Sequence, residues 1–336
     1  MTDSGCIEVL RGDAVESRHR VHIAVVDATG ALRASVNDST YLTFARSAVK
    51  AVQAMPLLDD GAADAFGFGS EEIALCCASH SGEPMHVALA AKMLARIGAT
   101  ESDLACGAHP PFDRTAAAAL ESAGVQPGRL HNNCSGKHAG MMALARHHGW
   151  PVEGYHERGH PVQQRMAAEL ARWSAVPVES LETGVDGCGV VTFGLPLALL
   201  ALVFARLAAA TAAGDGNAAR VVTAMLRHPE LVAGTDRLCT SLMRASDGRV
   251  FAKVGAEGVY CAGVPAEGIG IAIKAEDGAQ RAAEPALLAV LGQLGVFDAT
   301  GHASLTRWAA PLVKNTRGEI VGSLRPAFTL ARHAAR

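Results

Sequence analysis

The sequence predicts an α+β fold, with an antiparallel sheet built from both ends of the chain around a large helical middle. Short alternating apolar runs near the two ends are typical of strands. Between them, alanine-rich stretches carry apolar residues at helical spacing and are separated by glycine and proline. Because antiparallel strands can come from distant parts of a chain, we expect the terminal strands to pair in one sheet beside a helical lobe.

We expect residues 1–336 to form a single catalytic unit with two lobes. Strands from about 1–45 and 249–325 are assigned to the sheet lobe, and about 70–245 to the helical lobe. Helices are predicted at 70–79, 84–97, 114–123, 137–148, 161–174, 196–213, 217–227 and about 279–294.

Composition limits the function classes. With 49% hydrophobic and 19% charged residues, the chain is expected to fold around a core. A net charge of −3 gives no basic field for nucleic acid, and 4% aromatic residues provide few stacking surfaces for bases. The longest apolar run, Leu195 to Ala205, is too short to span a bilayer and predicts a buried helix, so no membrane partner is expected.

The beginning of the chain shows no basic region followed by an apolar one, so we expect no export signal and a cytoplasmic location. The eight cysteines lack the spacing of a disulfide framework. Reduced thiols are therefore the expected state.

One stretch, 131–141, concentrates a thiol, a hydroxyl, an amine and imidazoles in a few residues. Cys134 and Lys137 are spaced to share one face of a helix's first turn. A second thiol, Cys188, lies in a glycine-flanked turn after Asp186. With a third donor the two thiols could hold a soft divalent metal such as zinc. The alternative is that both cysteines are small buried apolar side chains.

A second set of residues suggests a serine hydrolase. Ser47 and Lys50 form an S-x-x-K pattern at a predicted helix start, where a desolvated neutral lysine could activate the hydroxyl. Ser79 lies in a later cluster of hydroxyls, and Lys253 precedes a glycine on a predicted strand. This order resembles that of serine β-lactamases and penicillin-binding proteins, with Val254 in place of their usual hydroxyl. For Lys50 alone, the alternative is a solvated surface lysine.

The segment 156–160 fits the H-E-x-x-H pattern of zinc proteases, which requires both histidines on one helix face. Gly159 weakens a helix there, and Pro161 disfavours helical geometry at His160. Pro161 is better placed as the first residue of the next helix. The sequence therefore predicts a loop at 156–160.

Taken together, the motifs at 45–50, 78–84, 131–138, 186–189 and 253–258 resemble those of the rhizobial-type, or class 3, L-asparaginase family over nearly the whole chain. The resemblance implies hydrolysis of L-asparagine to L-aspartate and ammonia. It also implies a fold similar to serine β-lactamases and glutaminases, and a homodimeric assembly.

The resemblance also implies roles for particular residues. Two Ser–Lys pairs, Ser47 with Lys50 and Ser79 with Lys253, would be catalytic, with Ser47 as the nucleophile and the reverse assignment to Ser79 open. Lys274 is an alternative to Lys253. Zinc would be bound by Cys134, Lys137 and Cys188, and substrate by Arg46, His138 and Asp186.

Three other functions remain open at this stage. A glutaminase is the nearest, because one methylene changes selectivity by only about 10- to 200-fold in a simple pocket. A penicillin-recognising hydrolase would use the same scaffold outside the cytoplasm. A zinc-stabilised binding protein would use Cys134 and Cys188 without catalysis.

Overall fold

The computed structural model describes residues 5–214, 216–299 and 301–334. The predicted sheet lobe began at about residue 1, and its first four residues lie outside the described residues. The structure confirms the α+β prediction. The strands are β1 Cys6–Arg11, β2 Ala14–Asp27, β3 Leu32–Val36, β4 Leu42–Phe44, β5 Glu182–Val185, β6 Val191–Pro196, β7 Phe251–Val254, β8 Val259–Val264, β9 Ile269–Ala275, β10 Leu312–Lys314, β11 Ile320–Ala327 and β12 Ala331–Arg332. The helices are α1 Lys50–Asp59, α2 Ala62–Ala65, α3 Ser70–Cys76, α4 Pro84–Arg96, α5 Arg114–Ser122, α6 Ser135–His147, α7 Pro161–Ser174, α8 Leu197–Ala212, α9 Gly216–Arg227, α10 Pro229–Val232, α11 Leu238–Ala245, α12 Gln280–Leu294 and α13 Thr306–Ala309.

The chain divides into two compact units. Of the described residues, those within 1–48, 195–212 and 241–336 form the sheet unit, and those within 49–194 and 213–240 form the helical unit. The sequence placed 196–213 in the helical lobe, whereas the structure groups α8 with the sheet. The reason is packing, since α8 covers strands β2 and β9 of that unit. Whether the chain acts as a single catalytic unit stays a prediction.

One antiparallel sheet organises the sheet unit, with the strand order β10-β11-β1-β2-β9-β8-β7. Strands β3 and β12 extend it, because β3 pairs with β2 and β12 pairs with β3. Val9 of β1 lies opposite Leu324 of β11. The predicted pairing of strands from the two ends of the chain is therefore confirmed.

Helices α8 and α12 cover the middle of this sheet. From Gly270 onward every residue of β9 is buried, and because neighbouring residues on a strand face opposite sides, both faces of β9 are covered. Gly270 permits the close approach of α8, since a Cβ at this position would overlap the Ala201 carbonyl oxygen and the Ala205 nitrogen. The strand and the helix meet there backbone to backbone.

Helix α6 lies at the centre of the helical unit and is buried from Ser135 to Ala145. Two glycines bring it close to α3. A Cβ at Gly136 would lie 2.5 Å from the Leu75 carbonyl oxygen, and one at Gly140 would lie 2.7 Å from Cys76 Sγ. This contact fixes the first turn of α6 beside the loop that follows α3.

The predicted helices of the middle are present, but this stretch also contains the short hairpin formed by β5 and β6, in which Val185 lies opposite Val191. Local sequence patterns did not predict this hairpin, because β5 is exposed or half-buried throughout and has no apolar alternation.

In the described part of the chain, no single helix is long and apolar enough to cross a membrane. The bent pair α8 and α9 passes such a test on length and composition alone.

Candidate active site

Lys50 is the first residue of α1 and is fully buried. Its amine lies 2.5 Å from the Ala78 carbonyl oxygen, 3.0 Å from Ser79 Oγ and 3.1 Å from Cys134 Sγ. All three partners belong to the helical unit. The alternative of a solvated surface lysine is therefore wrong for this residue.

Ser79 lies in the loop between α3 and α4, and the backbone on both sides of it is fixed. The Ser79 amide donates to the Val232 carbonyl, and the His80 amide donates to the Asn133 carbonyl. His80 is fully buried; its Nδ1 accepts from the Gly82 amide at 3.2 Å, so its Nε2–H donates to Ser135 Oγ at 2.9 Å. The imidazole thus joins the Ser79 loop to the start of α6.

Cys134 and Lys137 lie at the start of α6, as their spacing predicted. Cys134 is the N-terminal cap position of the helix, and its amide donates to Asn132 Oδ1 at 2.9 Å. Lys137 Nζ donates to Cys188 Sγ at 3.0 Å. The two thiols, Cys134 and Cys188, are joined by a hydrogen bond.

Cys188 lies in the turn of the β5–β6 hairpin. The Asp186 amide donates to the Val190 carbonyl at 2.8 Å, and Gly189 occupies the left-handed region with φ +88°, which closes the turn. Asp186 Oδ2 lies 3.9 Å from Cys188 Sγ. The β5–β6 hairpin therefore places Cys188 and Asp186 beside the start of α6.

The charges and hydrogen bonds of this cluster favour one thiolate, at Cys188, to which the Cys134 thiol donates a hydrogen bond. The hydrogen bond from Cys134 lowers the pKa of Cys188 and the charge of Lys137 lowers it further, against the effect of burial. The same hydrogen bond, together with burial, raises the pKa of Cys134. Burial alone would lower the pKa of Lys137, but the charges of Cys134, Cys188 and Asp186 outweigh it and raise that pKa. These pKa shifts favour a thiolate at Cys188 beside an ammonium group at Lys137.

The donor set fits a soft divalent metal. Two thiols and one amine converge, and sulfur and nitrogen are the donors that zinc prefers. No three His, Cys, Asp or Glu side chains within residues 5–214, 216–299 and 301–334 form a group that could hold a metal. The predicted set includes a lysine, a residue type outside these four, and it stays a prediction. Lys137 would have to lose its proton in order to bind a metal.

His138 follows Lys137 and is fully buried. Burial, together with the charge of Lys137, lowers the pKa of His138 to about 3, so the ring is neutral. Its Nδ1 lies 2.6 Å from the hydroxyl of Tyr155. Tyr155 was not predicted from the sequence, because it lies in a turn-rich segment without a periodic pattern.

The sheet unit holds the other predicted catalytic residues. Ser47 is half-buried and lies in the 3₁₀ helix Arg46–Val49, directly before α1. Arg46 has a φ of +50°, an unusual conformation for a residue with a side chain. A Cβ at Gly255 would lie 3.0 Å from the Ala45 carbonyl oxygen, so the backbone just beyond β7 passes close to this segment.

Lys253 is fully buried in β7, and its amine donates to the Val254 carbonyl at 2.8 Å. Lys274, the alternative, donates to the carbonyls of Glu257 and Ala275.

The predicted residues are therefore brought together in part. The helical unit unites Lys50, Ser79, Cys134, Lys137, Cys188 and Asp186. In the structure Lys50 contacts Ser79. The sequence had predicted two other pairs, Ser47 with Lys50 and Ser79 with Lys253, and those two pairs stay predictions.

The H-E-x-x-H segment is a loop, as predicted. Helix α7 begins at Pro161, and His160 precedes it, with Nδ1 accepting from the Val162 amide at 3.1 Å. The two histidines do not lie on one helix face, so the zinc-protease pattern has no structural basis here.

The fold is thus α+β, and a buried amine lies against a serine hydroxyl, a pair of groups of the kind that nucleophilic catalysis uses. The family model described as L-asparaginase II matches residues 7–326 of the chain. The chain belongs to the L-asparaginase II family and is an amidohydrolase whose family substrate is the small molecule L-asparagine. No curated protein matches the chain in sequence.

Proposed function

We propose that this chain hydrolyses the side-chain amide of L-asparagine by acyl transfer to a serine, with Lys50 as the base. The observation that carries the proposal is the contact of 3.0 Å between the fully buried Lys50 amine and Ser79 Oγ. The proposal requires the neutral amine, because that is the form that can accept a proton.

The three partners of Lys50 suit a proton acceptor. The Ala78 carbonyl can only accept a hydrogen bond, so it takes one N–H of the amine. Ser79 Oγ and Cys134 Sγ can each accept or donate. A neutral Lys50 can therefore receive a proton from the Ser79 hydroxyl and return it without rearrangement of the side chain.

Ser47 is the nucleophile of the proposal. It lies one helical turn before Lys50, the spacing at which two side chains meet on a helix. The positive φ of the neighbouring Arg46 is strained, and such strain concentrates at functional sites.

In the proposed reaction, Lys50 takes the Ser47 hydroxyl proton as the oxygen attacks the amide carbon of asparagine. The tetrahedral intermediate collapses to an aspartyl ester, and the proton leaves with the nitrogen as ammonia. Water then hydrolyses the ester and restores the serine. Ser79, paired with Lys253, relays protons between Lys50 and the leaving group. Backbone N–H groups are expected to stabilise the oxyanion.

Zinc is the second part of the proposal, held by Cys134, Lys137 and Cys188. When bound, it would supply Lewis-acid attraction for the polar ends of the substrate and so help to orient it. The charged side chains of Arg46 and Asp186 are assigned to the α-carboxylate and α-amino groups of asparagine on the basis of their charge.

The contact between Lys50 and Ser79 favours a second assignment, in which Ser79 attacks and Ser47 relays the proton. An electrophilic asparagine analogue that alkylates the attacking hydroxyl distinguishes the two. Peptide mapping is expected to place the label on Ser47, and protection by asparagine shows that the site is the substrate site. A label on Ser79 would reverse the assignment, and a label on neither serine would contradict Ser–Lys catalysis.

Homodimeric assembly, which the family resemblance implies, and a cytoplasmic location, which is the expectation from the sequence, complete the proposal. Light scattering of the purified protein tests the first, with a dimer mass expected and a monomer mass contradicting it.

A further inference from the structure

The surroundings of His138 define a hydrogen-bond chain that neither the family match nor the proposed reaction assigns. The Ala105 amide donates to the Tyr155 hydroxyl at 2.9 Å, and that hydroxyl lies 2.6 Å from His138 Nδ1. Tyr155 is 1% exposed, and its carbonyl accepts from Gln163 Nε2 at 2.9 Å. Hydrogen bonds therefore hold Tyr155 both at its backbone carbonyl and at its side-chain hydroxyl.

The direction of this chain follows from proton counting. The Tyr155 oxygen already accepts from the Ala105 amide, and a phenol carries one proton of its own. The neighbour that can take this proton is His138 Nδ1. If Nδ1 carried a proton instead, the Tyr155 O–H would be buried without an acceptor, which is costly.

An Nδ1 that accepts places the ring proton of a neutral imidazole on Nε2. His138 Nε2 is buried and has no hydrogen-bond partner among the described residues. The hydrogen bonds thus fix an N–H donor on the residue that follows Lys137, and no group in the described part of the chain accepts its hydrogen bond. Buried polar groups in native proteins are nearly always hydrogen-bonded, so a donor in this state favours binding of a partner such as a ligand or water.

We propose that Tyr155 is a positioning residue that holds His138 as its Nε2–H tautomer, so that His138 donates a hydrogen bond to a carboxylate oxygen of the bound amino-acid substrate. This inference rests on the proposed function for the identity of the substrate. It assigns His138 the role of a donor and not of a general base, and it gives Tyr155 a role in substrate recognition.

The experiment compares the full-length wild type with Tyr155→Phe, His138→Gln and the double variant. Phenylalanine keeps the ring packing and removes only the hydroxyl. Glutamine places an amide N–H near the Nε2 position and cannot change tautomer. Tyr260→Phe, which removes another buried phenol hydroxyl, is the matched control.

Nitrogen NMR of histidine-labelled protein reports the tautomer without turnover, and the His138 signals are assigned by their loss in His138→Gln. We expect the Nε2–H form in wild type and in Tyr260→Phe, and a mixture of tautomers in Tyr155→Phe. An Nδ1–H form in wild type, or no change in Tyr155→Phe, would overturn the inference. A protein that hydrolyses no asparagine can still be examined in this way, so failure here is distinct from failure of the proposed function.

Kinetics with asparagine test the recognition role. Tyr155→Phe is expected to raise KM by about 10- to 100-fold, the loss for one hydrogen bond to a charged group, with kcat nearly unchanged. In the His138→Gln background the same change should have no further effect, because Tyr155 acts through the imidazole. An unchanged KM in Tyr155→Phe, or an equal loss in both backgrounds, would overturn the inference.

Discussion

The amine of Lys50 lies 3.0 Å from the hydroxyl of Ser79, although the two residues are 29 positions apart in the chain. Lys50 opens α1, and Ser79 follows α3. The same amine also contacts Cys134 Sγ at the start of α6. The buried amine of Lys50 therefore contacts both a predicted catalytic residue and a predicted metal ligand.

Lys50→Met tests whether this amine is the base. Methionine fills a similar volume but accepts no proton, so kcat is expected to fall by about 100- to 10,000-fold. The measurement is ammonia release at saturating asparagine, with circular dichroism to confirm the fold. Lys314→Met, at an exposed position on β10, is the control and should keep wild-type activity. A Lys50→Met variant that is folded and fully active would exclude the amine as the base.

Cys188→Ala tests the metal site. Removal of one of the three proposed ligands is expected to reduce zinc content, measured by elemental analysis after dialysis against zinc-containing buffer. KM for asparagine should rise while kcat stays nearly unchanged, because the metal is assigned to substrate orientation. Cys261→Ala, at a buried cysteine of the sheet unit, should retain whatever zinc the wild type binds. Equal zinc in wild type and Cys188→Ala would contradict the assignment.

Two glycine substitutions test the packing of the sheet unit. Gly270→Ala would force a Cβ into the backbone of α8 and is expected to lower the free energy of unfolding by about 1–3 kcal/mol. Gly292→Ala lies inside α12 with open space around it, and should raise that free energy by about 0.5–1 kcal/mol. Urea denaturation measures both. Changes of the same sign would contradict the packing described for β9 and α8.

Asp60 gives a prediction of pH-dependent stability. Burial raises the pKa of Asp60, but hydrogen bonds from Arg165 and His148 outweigh burial and lower it. Because the pKa in the folded state lies below the unfolded value, the carboxylate stabilises the protein above the unfolded pKa. That stabilisation is lost as the pH falls through the lowered pKa.

Asp60→Asn is therefore expected to cost about 1–3 kcal/mol of unfolding free energy at neutral pH. The difference from wild type should shrink in acid, which urea denaturation across pH detects. Asp64→Asn removes a more exposed carboxylate that pairs with Arg220 and should have a smaller effect. A cost that persists unchanged in acid would show that the loss is not electrostatic.

The sequence predicted those parts of the fold that depend on local patterns. Strands such as β2 and β9 and helices such as α7 and α12 have clear apolar periods or caps. The hairpin of β5 and β6 was missed because its strands are short and β5 is exposed. The placement of α8 in the sheet unit depends on Gly270 and its neighbours, contacts that local periodicity does not reveal.

The site was predicted unevenly for the same reason. The spacing of Cys134 and Lys137 predicted that both lie in the first turn of one helix. Such spacing is a local property of the sequence. The contact of Lys50 with Ser79 depends on how α1, α3 and α6 pack, so local spacing suggested Ser47 as the partner instead. Tyr155 is a single residue in a loop whose role depends entirely on reaching His138 in the folded chain.

Ammonia release from L-asparagine by wild type and Ser47→Ala, assayed together, tests the Ser–Lys mechanism most directly. The wild type is expected to be active and Ser47→Ala to lose at least about 1,000-fold in kcat, since no other hydroxyl would replace the nucleophile. Ser180→Ala, at an exposed serine, should match the wild type. Ammonia release by Ser47→Ala at the wild-type rate would contradict the mechanism, and no release by wild type would contradict the activity itself.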